Sequence, residues 1–156
     1  MNNSKEIVTR ILDLHPTTFR EVRALERCID DGNKLVIQST DAEIKKCLGS
    51  GLSVGAYHKD KLVGYSLGYT DEYRFSVFVE KCYTSPTFRN MGIHQGTLGE
   101  LILNAKKAGI IHAVATVSSI NRISLRNFAR YGFLCVGSRK NLFGVENERA
   151  LLACKL

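Results

Sequence analysis

The run Arg89-Asn90-Met91-Gly92-Ile93-His94 has the residue types of an anion-binding turn. It follows a β-rich stretch that ends at Tyr83-Thr84-Ser85-Pro86 and leads into residues with helical spacing. The first N–H groups of a helix have no partner within the helix, and small residues let a phosphate approach the backbone. An ordinary turn before a helix uses the same residues, so the run alone leaves both readings open. Its glycine spacing is not that of the dinucleotide-binding fingerprint, and it lacks the Gly-Lys-Ser/Thr ending of a Walker A loop. Further along stands a second informative run, Asn121-Arg122-Ile123-Ser124-Leu125-Arg126-Asn127-Phe128-Ala129-Arg130-Tyr131-Gly132-Phe133.

The elements that must position these runs are legible from periodicity. Residues 7–12 read as a short strand closed by Asp13, His15 and Pro16. Thr18 and Glu21 have capping-box spacing for a first helix, and Thr40 with Glu43 for a second. Asp30-Asp31-Gly32-Asn33 reads as a turn. Alternating apolar residues over 52–57, 62–69 and 75–84, joined by short links, predict an antiparallel meander. Leu98 to Ala108 predicts a long helix stopped by Gly109, and 110–117 a buried strand. Ile123 to Arg130 predicts a helix ended by Gly132, with strands at 133–136 and 149–154. The expected fold is α+β: a mixed, mostly antiparallel central sheet of about six or seven strands flanked by helices, in one domain spanning 1–156.

Composition narrows the function classes. With 44% hydrophobic and 24% charged residues, the 156-residue chain has a globular balance and not the low hydrophobicity of disorder. No apolar run approaches the roughly 20 residues that span a bilayer, and the first residues lack a secretory pattern, so no membrane partner is expected. The five cysteines are dispersed without zinc or redox spacing, which predicts core thiols, no metal and a reducing cytoplasmic setting. The net charge of +7 permits an anionic ligand, but the basic residues are scattered, and no nucleic-acid partner is expected. Arg122, Arg126 and Arg130 share one helix side, as a solvated face or an anion-facing stripe.

The ordered pair of runs resembles the GNAT superfamily, the Gcn5-related N-acetyltransferases, over roughly residues 50–155. That family shows Arg/Gln-x-x-Gly-x-Gly/Ala, then Asn-x-x-Ala/Ser-x-x-x-Tyr with Gly-Phe after the helix. The resemblance implies that acetyl-CoA is the cofactor. It implies that the strand ending at Thr84 pairs its backbone with the pantetheine arm, splayed from a parallel neighbour at 113–117. Arg89, Asn90, Met91, Gly92, Ile93 and His94 would wrap the pyrophosphate. Asn121 would bond the pantetheine arm, and Ser124 is the small residue where the next helix nears the cofactor. Two departures stand out: His94 replaces a Gly or Ala, and Phe128 replaces the Tyr credited with protonating the CoA thiolate. Tyr131, almost one turn on, is either a substitute acid or a core or surface tyrosine.

Direct transfer to an amine requires the neutral amine, and an alkylammonium has a pKa of about 10.4. Glu80, on the strand entering the presumed acyl site, is the first candidate to accept the proton, although strict alternation points it to solvent. Tyr83 and His112 are the others, and ordered water without a dedicated base also suffices. The resemblance implies that the acceptor, a small-molecule or peptide amine, enters between the first helices and the sheet. Its expected walls are residues 19–33, Tyr65, Tyr69, Tyr73 and Phe143, with Glu26, Asp30, Asp31 and Glu72 as carboxylates that either attract a cation or are merely exposed. The competing function is an acyl-CoA-binding regulatory or catalytically impaired module of the same fold. A terminal strand could also pair across a homodimer.

Overall fold

The computed structural model describes residues 6–29, 37–142 and 147–156. Strand β1 (Val8–Ile11) precedes helices α1 (Pro16–Glu26) and α2 (Asp41–Gly49). The meander follows as β2 (Val54–His58), β3 (Lys61–Thr70) and β4 (Ser76–Thr84). After a 3-10 turn come α3 (Ile93–Lys107), β5 (His112–Ser118), α4 (Arg122–Ala129), β6 (Leu134–Arg139) and β7 (Arg149–Lys155). The seven strands form one sheet in the order β1-β2-β3-β4-β5-β7-β6. Among the described residues only β4 and β5 pair in parallel. This is the expected mixed, mostly antiparallel sheet flanked by helices.

Local chemistry explains most of the boundaries. Thr40 and Glu43 form the capping box: the Glu43 N–H donates to Thr40 Oγ1 (3.2 Å) and the Thr40 N–H to Glu43 Oε2 (2.6 Å). The box expected at Thr18 and Glu21 does not form. Pro16 starts α1 earlier, His15 Nδ1 accepts the Thr17 N–H, and the Thr18 hydroxyl donates to Asp13. A proline at the first helical position loses no hydrogen bond, so it wins that competition. Helix α3 begins sooner than its apolar rhythm suggests, because Gly92 at φ +74° reverses the chain directly into it. The turn expected at 30–33 lies outside the described residues.

The sheet separates two apolar layers. Leu98, Leu101 and Ala105 of α3 and Phe128 of α4 pack with Val77, Val79, Ala113 and Leu152. Val22 of α1 and Ile44 and Leu48 of α2 pack with Tyr57, Tyr65 and Leu67. Each fully buried aliphatic side chain contributes about 2 kcal/mol, so these layers hold the helices at fixed positions on the sheet. All five cysteines are unpaired, and burial pushes the Cys47 and Cys82 thiols up to about 12. Among the described residues no group of side chains has the makings of a metal site, and no helix is long and apolar enough to cross a membrane.

Candidate active site

Strand β4 is continuous along β3 but leaves β5 halfway. Its parallel pairing runs from Ser76 opposite His112 to Val79 opposite Ala115 and then stops. The backbone groups of Glu80–Thr84 that face β5 therefore have no strand to pair with, whereas on the β5 side Arg149 Nη2 donates to the Thr116 carbonyl (3.0 Å) and the Asn121 N–H to the Ser118 carbonyl (2.9 Å). Unmet strand-edge groups are a template for an extended, amide-bearing ligand.

The splay coincides with a break in the β3–β4 register. Leu67 stands opposite Lys81 and Gly68 opposite Val79, so Glu80 is the extra residue of a β-bulge. The bulge inverts the alternation of side chains. Val77 and Val79 lie in the α3 layer, whereas Lys81 bonds Glu26 of α1 and Tyr83 packs in the α1–α2 layer. Strict alternation, which sent Glu80 to solvent, fails at this residue. Glu80 instead lines a cavity of about 550 Å³.

That cavity passes from the splayed strands to the α1–α2 side. Cys82, Val117, Ser118, Asn121, Ser124 and Phe128 line one part, and Tyr69, Phe78, Glu80 and Lys81 line the other with the segment 37–40 and Glu43. Burial holds the Glu80 carboxyl above the usual carboxylate range, and the nearby Glu43 carboxylate raises it further. Such a group retains basicity that an exposed carboxylate lacks. Tyr69 stacks on Phe78 with ring centres 5.2 Å apart, and the Lys46 ammonium lies 3.6 Å from the Tyr69 centroid. Arg149 also lines the cavity and donates to the Thr116 carbonyl at 3.0 Å.

Of the expected proton acceptors, only Glu80 lines the cavity. His112 is exposed at the other end of β5, where that strand begins. Tyr83 is buried beside Tyr65, and burial raises its pKa, which keeps the phenol protonated and unfit to accept a proton. The substitute acid, Tyr131, is placed elsewhere: its hydroxyl donates to the Gln95 carbonyl at 2.6 Å and covers Gly99 of α3. Phe128 does line the cavity, packed edge-on against Phe133 at 4.9 Å, and carries no proton to give.

The turn before α3 is shaped as the sequence predicts. Asn90 and Gly92 have positive φ, no side chain caps α3, and the first intrahelical bond runs from the Gly96 N–H to Gly92. The N–H groups of Ile93, His94 and Gln95 are thus open at the helix start. Gly64 lets this turn sit directly on β3, since a Cβ there would lie 2.6 Å from Ile93 Cγ2. His94 does not hang free over the turn. Gln95 Nε2 donates to Asn127 Oδ1 (3.1 Å), which leaves Asn127 Nδ2 to donate to His94 Nδ1 (3.1 Å). The ring proton is thereby placed on Nε2. Burial lowers the His94 pKa to about 4, so the imidazole is neutral, and its Nε2 is buried without a partner. Asn121 caps α4 by accepting the Ser124 N–H at 3.1 Å, leaving its amide nitrogen as a donor. The buried hydroxyls of Thr84 and Ser118 also lack partners. Arg122, Arg126 and Arg130 are exposed.

On the acceptor side the wall differs from expectation. Tyr65 is fully buried beneath the cavity, Tyr73 is exposed away from it, and Glu72 is exposed. Asp30, Asp31 and Phe143 lie outside the described residues. Glu26, expected as a wall carboxylate, is fully buried and paired with Lys81 at 3.0 Å. Residues 37–40 form the wall instead. The sequence signal for Glu26 was its place on the apolar side of α1, four residues after the buried Val22.

A seven-stranded mixed sheet, parted where β4 and β5 run parallel and followed by a glycine turn into α3, matches the acyl-CoA N-acyltransferase-like fold. The model of the acetyltransferase (GNAT) family matches residues 13–133, and the chain belongs to that family. Solved structures share the fold at low identity. An acetyltransferase of the GNAT family from Streptococcus pneumoniae is 16% identical, with a TM-score of 0.81 over 97% of this chain and 99% of that one. Arabidopsis thaliana Naa50, in complex with the bisubstrate analogue CoA-Ac-MVNAL, is 13% identical, with a TM-score of 0.80 over 96% and 99%. The ribosomal-protein-S18-alanine N-acetyltransferase from Escherichia coli is 13% identical, with a TM-score of 0.78 over 96% and 94%. No curated protein matches the chain by sequence.

Proposed function

We propose that the protein is an N-acetyltransferase that moves an acetyl group from acetyl-CoA directly to the amine of a small molecule or peptide. One observation carries this reading: β4 parts from β5 at the residue where the bulge turns a basic carboxylate, Glu80, into the cavity. The residues present fit the cofactor. Open N–H groups at 93–95 suit a pyrophosphate, the edge of β4 that leaves β5 suits an amide-bearing arm, and the partnerless hydroxyls of Thr84 and Ser118 have capacity for it. Asn121 would donate to the arm, with Ser124 and Phe128 beside it.

Acetyl-CoA, when bound, supplies an acyl group already activated as a thioester. The chain's own contribution is orientation and proton removal. Glu80 accepts the proton of the incoming amine, directly or through one water, at a basicity raised by burial and by Glu43. Backbone N–H groups along the open edge of β4 orient and polarise the acyl carbonyl. The buried, high-pKa Cys82 thiol is a poor nucleophile, which favours direct transfer over an acyl-cysteine. Phe78, Val114 and Leu151 give the acceptor side an apolar floor beneath the carboxylates. An alkylammonium with an apolar neighbour suits that surface, and the ribosomal-protein alanine and the CoA-Ac-MVNAL analogue named for two proteins of the same fold are reasons to include free peptide N-termini among the acceptors.

Phe128 supports a second reading, an acyl-CoA-binding module with impaired catalysis, because it removes the usual acid from the leaving thiolate. Calorimetric titration with acetyl-CoA, CoA and ADP, followed by thiol release across small amines and short peptides with free α-amino groups, separates the two. Selective CoA binding with thiol release supports the enzyme, and binding without release supports the module. A flat acetyl-CoA trace with folded protein refutes both.

A further inference from the structure

We infer that the buried Glu26–Lys81 pair positions the acceptor wall, by bolting residues 37–39 to the strand that carries Glu80. Naming that wall the acceptor's rests on the N-acetyltransferase reading, whereas the clamp itself rests on geometry alone. Glu26 is 0% exposed and the Lys81 side chain 8%, with Nζ 3.0 Å from Oε2. Both carboxylate oxygens have further partners: Oε1 accepts the Tyr65 hydroxyl at 2.5 Å, and Oε2 accepts the Ser39 N–H at 2.9 Å. Lys81 Nζ also donates to the Ile37 carbonyl. The Ser39 carbonyl accepts from Arg23 Nη1 at 2.7 Å.

Ser39 is therefore gripped at both backbone groups by Arg23 and Glu26, three residues apart on one face of α1. Residues 37–40 belong to no helix or strand, so these side chains supply what a ladder would. Stability alone does not explain the arrangement, because a buried ion pair is commonly no more stable than well-packed apolar residues of the same volume. Position does explain it. Lys81 follows the bulge residue directly, so one pair ties the wall to the point where Glu80 enters the cavity. The hydroxyl of Ser39 is buried on that wall without a partner and is left to meet a polar group of the acceptor. Glu26 and Lys81 are positioning residues that act through residues 37–40.

Amide exchange followed by NMR on the full chain tests this. In Lys81→Met, and in the double variant Glu26→Leu/Lys81→Met that keeps an apolar filling, the Ser39 amide should exchange at least about tenfold faster relative to Leu101 in α3. For the panel amine that the wild type turns over fastest, KM should rise about tenfold while acetyl-CoA affinity stays within about twofold. Ser39 exchange that moves only in step with Leu101 overturns the clamp, as does an unchanged amine KM. If the wild type binds no acetyl-CoA, the N-acetyltransferase reading falls, and the exchange ratio alone upholds or overturns the clamp.

Discussion

Replacing Glu80 with Gln tests the proposed proton acceptor with little change of shape. The amide keeps the side-chain length in the cavity wall but cannot take a proton from an ammonium. A positioned general base contributes about 10²–10⁴-fold, so kcat should fall by that factor, equivalent to about 3–5 kcal/mol of barrier, with acetyl-CoA affinity retained. The pH profile carries the sharper test. Glu80 must lose its proton before it can accept another, so turnover falls as pH drops through its pKa, which burial and Glu43 hold above the usual carboxylate range. Glu43→Gln removes the repelling charge while preserving the capping box, which accepts Gln at that position. The acid limb should then move to lower pH, with α2 intact by circular dichroism. Stability moves the opposite way from activity. A carboxyl whose pKa is raised by folding destabilises the fold once ionised, so Glu80→Gln should be more stable than wild type at pH 7, with the difference vanishing below the ordinary carboxylate pKa. Thiol release measured from pH 5 to 9 reads the rates. A Glu80→Gln enzyme within about threefold of wild type at every pH would refute this assignment and leave ordered water as the proton acceptor.

Gly64→Ala places a Cβ 2.6 Å from Ile93 Cγ2 and 3.0 Å from the Tyr83 carbonyl. It should cost about 1–3 kcal/mol in urea unfolding and weaken CoA in calorimetry, because the α3 turn must shift away from β3. His94, held neutral by a pKa lowered to about 4, destabilises the fold as pH falls from its unfolded pKa of 6.5 toward 4, since protonation then favours the unfolded chain. Over that window the wild type should lose about 3 kcal/mol that His94→Gln does not lose, as read by denaturant titration at several pH values. Phe128→Tyr puts a hydroxyl on a residue that lines the cavity, and kcat for thiol release should change by less than about threefold, because a thiolate leaves readily without an acid.

Much of this protein was decided locally, within reach of neighbouring residues. The Thr40–Glu43 box forms as the sequence predicts, and the positive φ at Gly92 and the Asn121 cap are equally local, each set by one residue acting at its own turn. Alternation along β2, β3 and the first half of β4 places the sheet, and the two motif runs place the turn and helix that flank its opening. What required the tertiary structure is whatever depends on partners far apart in the chain. The bulge at Glu80 exists only against β3, and it reverses the face on which every later residue of β4 lies. Glu26 is an ordinary helix carboxylate until Lys81, Tyr65 and Ser39 converge on it. Tyr131 lies close to the site in sequence, yet α3 claims its hydroxyl, and His112 is carried to the far end of β5 by the direction of the strand. Periodicity reports which face of an element is buried. Which distant groups meet on that face is settled by long-range packing, and in this chain that packing decides which carboxylate enters the cavity and which one is buried against Lys81.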